Sequence, residues 1–259
     1  MLRTALLAPL VVALAASAVA AAGPSNPARS FRDTVADSPG APDVTTVSVQ
    51  ATAGAVTFVV RTAAAAPWVG AAAIVGIDSD GDATSGDAGG ARGMELSYVL
   101  HSEHDEFTLD RSGGESVQHP SATARLTGGT LTIRVPRAEL EASGGPVGFV
   151  VSTPGPAGRD RAPDTGEWRF SPDATVRRLV TSFAPAAPAH GKRFALRSVV
   201  AVFSDGTSGT APAACRASLD GVRLGASCRW RIPTGARGKK LAVVIRSAGL
   251  STTLRFTVR

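Results

Sequence analysis

The chain has 259 residues, 2 cysteines and a formal charge of +6, and beyond its first two dozen residues no stretch is apolar enough to span a bilayer. Its charge is divided. Residues 23–172 carry eleven Arg against eighteen Asp and Glu, and residues 173–259 carry fifteen Lys and Arg against three Asp, so two domains with different surfaces are expected. Only three lysines and one asparagine occur, a coding bias that makes the preference for Arg over Lys weak evidence for any ligand.

The opening residues 1–22, MLRTALLAPLVVALAASAVAAA, combine Arg3, an apolar core at Leu6–Leu14 and small residues around Ala20–Ala22. That pattern predicts a secretory signal peptide cleaved near Ala22, and therefore a secreted, extracellular protein without a membrane span in its mature chain; a retained membrane anchor is the alternative, against which the short Leu-rich core argues. Residues 23–29 read as a spacer, and Phe31–Val44 as a turn-rich segment punctuated by Asp33, Asp37 and Asp43. Strand signals then follow at short intervals: TTVSVQAT, AVTFVVRT, AAAIVGI, MELSYVL, EFTLD, ATARL, TLTIRVP and VGFVVST. Glycine-rich turns separate most of them, and Leu131, Ile133 and Val135 share one face. A brief helix is expected at Pro136–Glu141, which opens with proline and good helix formers. The spacing predicts an antiparallel β-sandwich over residues 30–172.

A strand-like run, Ala71–Ile77, empties into a loop carrying Asp78, Asp80, Asp82 and Asp87. Carboxylates this close repel, so the loop either stays solvated or gathers around a cation. Oxygen donors at alternate positions suit calcium, with the Thr84 carbonyl as a further ligand. The first half of an EF-hand loop is matched by Asp78-Ser-Asp-Gly-Asp, but Ala83 and Gly89 occupy the places of its glycine and glutamate.

FRD…APDVTTVSV, AVTFVVR, IVGIDSDGDATSGD, GMELSY, LTIRVPRAEL, VGFVV and RAPDTGEWRF, in that order over Ser30–Ser171, resemble the DOMON-like β-sandwiches, close to the family nine carbohydrate-binding modules. The resemblance implies a jelly-roll-like sandwich that often bears calcium, sometimes binds sugar ends between two tryptophans, and is not catalytic. It points to Trp68, which follows a proline where a ring can stand exposed, and to Trp168 as its partner. A core position is the other reading of both rings, and for Trp168 it is supported by alternation with Phe170. Met94–Leu96 departs from the family pattern, which has a smaller residue and then an aromatic there.

Residues 173–177 read as a linker, and 178–259 as an immunoglobulin-like sandwich of six or seven strands. Its string RWRIPTGARGKKL resembles small C-terminal immunoglobulin-like domains of secreted actinobacterial proteins. In an exported chain an even pair of cysteines predicts a Cys215–Cys228 disulfide, with Asp220-Gly221 turning the chain between them.

Other constellations are weaker. His101 and His104 form an H-x-x-H pair that would suit zinc on a helix, but they fall on a hairpin tip, and His119 and His190 have no ligand spacing. Met94 is the only methionine available to an axial haem site. No G-x-S-x-G, HExxH or P-loop occurs. The expectation is a monomeric, exported, non-enzymatic protein that binds polysaccharide or an anionic cell-wall polymer, not nucleic acid. A structural or adhesive envelope protein without a small ligand is the alternative, and an enzyme with a dispersed site the third.

Overall fold

The computed structural model describes residues 26–38, 40–63, 68, 70–101, 106–118, 120–140 and 145–259. The signal segment, His104 and His119 lie outside the described residues. The first half contributes β1 (Arg29–Arg32), β2 (Val44–Ala51), β3 (Ala55–Thr62), β4 (Ala72–Asp78), β5 (Leu96–His101) and β6 (Glu106–Arg111). It continues with β7 (Ser116–Val117), β8 (Thr123–Thr127), β9 (Thr130–Pro136), β10 (Val147–Gly155), β11 (Gly158–Ala162) and β12 (Trp168–Phe170). The second half adds β13 (Val176–Ala184), β14 (Arg193–Phe203), β15 (Ser208–Thr210) and β16 (Ala214–Leu219). β17 (Val222–Gly225), β18 (Arg229–Arg231), β19 (Lys240–Ser247) and β20 (Leu250–Thr257) complete it. Among the described residues there is no α-helix.

The protein is all-β, and its sheets are antiparallel. Sheet β1-β2-β3-β9-β8 packs on sheet β11-β10-β4-β5-β6-β7, with β12 also paired to β10. Alternation places the core. Val47, Val49, Phe58, Val60, Leu131 and Ile133 of one sheet face Val75, Ile77, Tyr98, Phe149 and Val151 of the other, all fully buried. Each such side chain contributes roughly 1.5–3 kcal/mol, and a one-residue slip of register would turn a whole row to solvent. Of the helix expected at Pro136–Glu141, the described residues form a single 3-10 turn, Arg137–Glu139. Its Glu139 is buried and accepts hydrogen bonds from Tyr98 Oη (3.0 Å) and the Ser121 hydroxyl.

The second sandwich sets β13-β14-β15, with β18 beside β14, against β17-β16-β19-β20. Phe194, Ala201 and Phe203 meet Leu241, Val243 and Ile245 in its own core. The disulfide Cys215–Cys228 is formed, with Cα atoms 5.0 Å apart. Asp220 and Gly221 take positive φ and turn β16 into β17, as expected. Cys228 lies beyond that hairpin, beside β18, so the bridge ties one sheet to the other and contributes about 2–4 kcal/mol.

The two cores meet at residues that composition assigned to a spacer and a linker. Arg29 opens β1 and is wholly buried, and Ala174 and Val176 pack into the second core. The Arg29 guanidinium lies 4.1 Å from the Phe203 ring centroid and 5.6 Å from that of Phe170. It donates to Ser171 O (2.8 Å) and Thr207 Oγ1 (3.0 Å), and stands 3.7 Å from Asp205.

Candidate cation site and ligand seat

β4 alternates. Ala73, Val75 and Ile77 enter the core, so Ile74, Gly76 and Asp78 face outward. On that outer face the register sets Asp78 opposite Gly148 of β10, and Gly148 opposite Arg169 of β12. Glycine between them lets Arg169 reach across, its Nη2 standing 3.6 Å from Asp78 Oδ2 and 3.3 Å from Gly81 O. The guanidinium also pairs with Glu167, and a Cβ at Gly148 would collide with the Glu167 carboxylate.

Asp78 is completely buried. Its Oδ1 accepts the Gly81 N–H at 2.5 Å, but Oδ2 accepts no hydrogen bond. Burial pushes its carboxyl upward, and the charges of Glu167 and Asp80 add to that, against the Gly81 N–H and Arg169. Asp78, Asp80 and Glu95 bring one carboxylate oxygen each within 4.8 Å of one another. Glu95 is fixed by Ser79 N–H (2.7 Å) and Ser85 Oγ (3.0 Å), and Ser85 Oγ also reaches Asp80 Oδ2 (3.0 Å). Gly86, at φ +69°, packs so tightly on Glu95 that any side chain there would collide. Three convergent carboxylates, one with a buried oxygen that accepts no hydrogen bond and has only the Arg169 guanidinium 3.6 Å away, fit a hard divalent cation.

The set differs from the expected one. Asp82 is turned back on its own loop, accepting Thr84 N–H (2.9 Å) and Thr84 Oγ1 (2.6 Å), which hold its carboxyl below the usual range. Thr84 meets Asp82 through its N–H and hydroxyl, and Asp87 lines a separate groove beside Asp110 and Gly113. Glu95 takes their place. Its signal in the sequence was a single carboxylate inside the apolar run GMELSYVL.

Beyond the carboxylates the same loop folds back over the sheet. Met94 and Ala88 bury themselves against Val150, and a cavity of about 250 Å³ remains between loop and sheet. Gly76, Val150 and Met94 floor it, and Arg92 and Arg159 stand exposed at its rim. Arg161 is already committed to Pro163 O and Gly166 O.

The tryptophans do not form a platform. Trp68 is 5% exposed and belongs to the first core. Trp168 packs at 5.6 Å from Phe31 and 5.5 Å from Phe149, because its alternation with Arg169 turns it inward. His101 closes β5 opposite Glu106, and Met94 is buried over Gly76.

A second carboxylate group gathers where residues 33–43 meet β11. Buried Asp160 accepts Val44 N–H (2.5 Å) and Ser38 Oγ (2.9 Å), and so pins that segment. Burial, with Asp164 nearby, pushes Asp33 up to about 6. A carboxyl raised in the folded state favours folding while protonated. That contribution is complete below the unfolded value of 3.8 and is lost as pH rises through about 6. Asp33→Asn should therefore melt higher than the parent at pH 7 and flatten the dependence between pH 4 and 6. A lower melting temperature at pH 7 would contradict this.

No protein-family model matches the chain, and no curated protein matches it. Among solved structures, the amphioxus IgVJ-C2 molecule aligns with 78% of this chain and 95% of its own, at 8% identity and a TM-score of 0.24.

Proposed function

We propose that this is a secreted, non-catalytic binding protein whose first sandwich takes a saccharide unit in the cavity under the Asp78–Glu95 loop, with calcium setting the loop. One observation carries the reading: the loop that converges Asp78, Asp80 and Glu95 at its base also supplies Ala91, Arg92 and Met94 to the cavity wall. An ion at the base would therefore fix the wall. At about 250 Å³ the seat is below the usual range for drug-sized ligands and suits a single ring. Two arginines at its rim, without a side-chain partner among the described residues, favour a ring bearing a carboxylate. The signal-like opening supports export, and the resemblance of Ser30–Ser171 to DOMON-like and family nine carbohydrate-binding modules supports calcium and saccharide.

Calorimetric titration of the exported protein with glucuronate and with glucose, in calcium, tests the ligand class. Glucuronate should bind more tightly, and Arg92→Ser/Arg159→Ser should lower its affinity at least tenfold. Equal affinity for the two sugars, or an unaffected double variant, would overturn the acidic-ring assignment. The alternative, an adhesive envelope protein without a small ligand, predicts no heat with either.

A further inference from the structure

We infer that the outer face of β14 and β18 in the second sandwich is a docking surface for a linear phosphate polymer. This surface is separate from the saccharide seat and does not depend on it. In β18, Trp230 is buried in the core, which turns Arg229 and Arg231 outward. The register places Arg231 directly opposite Arg193 of β14, and Arg229 opposite Ala195. Arg197 is exposed at the irregularity where β13 and β14 shift register. Like charges directly opposite on a sheet destabilise it, so the Arg193–Arg231 pair costs stability unless an anion lies across it.

No side-chain carboxylate of the second sandwich does so, since all three are used elsewhere. Asp173 pairs with Arg137, Asp205 stands beside Arg29 and accepts Ser171 N–H, and Asp220 accepts Lys240 N–H. Among the described residues none of Arg193, Arg197, Arg229 or Arg231 has a side-chain hydrogen bond or ion pair. With Cβ atoms about 7 Å apart along β18 and about 5 Å apart across the Arg193–Arg231 pair, these side chains form a cationic strip. Each guanidinium fork can hold two phosphate oxygens. The face has no exposed ring, because Phe183, Phe194 and Trp230 stack toward the core. It therefore lacks a stacking platform for nucleobases. A polymer whose charges follow one another without intervening rings fits it best.

The test measures binding of the exported protein to labelled inorganic polyphosphate by anisotropy across a salt series, with polygalacturonate and single-stranded DNA in parallel. Polyphosphate should bind most tightly. Arg229→Ser/Arg231→Ser should weaken it at least tenfold at low salt. The slope of log affinity against log salt should become shallower by about 1.4, at roughly 0.7 per phosphate released. Arg246→Ser/Arg255→Ser removes the same charge from the other sheet and should change affinity less than threefold. Equal losses from the two double variants would reduce the effect to net charge and overturn the assignment. So would equal or tighter binding of polygalacturonate or DNA. Aggregation of the Arg229/Arg231 variant with unchanged polyphosphate affinity would make these arginines guards of the β18 edge and would also overturn it.

Discussion

Arg29→Ala should destabilise the protein by about 2–4 kcal/mol in denaturant unfolding and split its transition in two. Arg29 is fully buried, and its guanidinium touches both units at once: Phe170 and Ser171 on one side, Phe203 and Thr207 on the other. Burial draws its pKa down, and Asp205 opposes that. Burial also acts against the Asp205 charge, but donations from Thr207 and Ser171, with Arg29, bring its carboxyl below the usual range. Truncation would empty a large side-chain volume and remove an ion from beside the Phe203 ring. Asp205 would keep its Ser171 and Thr207 donors, so the loss stays short of that for a carboxylate left bare. Arg137→Ala is the natural contrast. Arg137 meets Asp173 at 2.8 Å and donates to Thr52 O and Pro172 O, but it stays partly exposed, Asp173 is 64% exposed, and such a pair contributes about 0–1 kcal/mol, so its loss should be the smaller. Equal losses from the two variants, or one transition with Arg29→Ala, would contradict the role given to Arg29.

Calcium should raise the melting temperature, and magnesium should do so less, because it demands tighter octahedral geometry. Weak calcium sites, such as those of extracellular modules, have dissociation constants on the order of 10⁻⁴–10⁻³ M, and a hundredfold excess over that constant would add about 2.7 kcal/mol. Glu95→Gln should abolish the response while leaving the fold intact, since the amide oxygen can still accept Ser79 N–H. Asp82→Ala should keep it, because Asp82 is engaged by Thr84 and stands outside the converging set. A response lost in Asp82→Ala and kept in Glu95→Gln would restore the ligand set expected from loop spacing. Equal stabilisation by calcium, magnesium and sodium chloride at matched ionic strength would show mere screening of an acidic turn.

The strands were legible because alternation is local. The expected TLTIRVP segment coincides with β9, and AVTFVVRT with β3. Asp78 was legible for the same reason, as the first carboxylate after an apolar run. Glu95 was not, because its approach depends on a chain reversal of sixteen residues and on Gly86 admitting it. Trp68 allowed two readings, a ring exposed after proline or a core position, and it fills the first core. Arg29 gave no local signal at all. A lone arginine after a proline-containing spacer reveals nothing of Phe203, 174 residues away. Charge composition predicted two differing halves, but not that Asp173 and Asp205 would be spent on Arg137 and Arg29.

The coupling of cation and cavity is tested most directly by titrating glucuronate into the protein in calcium and again after chelation. Binding should be present with calcium, fall at least tenfold on chelation, and be insensitive to chelation in Glu95→Gln, which should already bind weakly. Glucuronate affinity that is unchanged by chelation in the parent would contradict the claim that an ion at Asp78, Asp80 and Glu95 sets the wall of the seat.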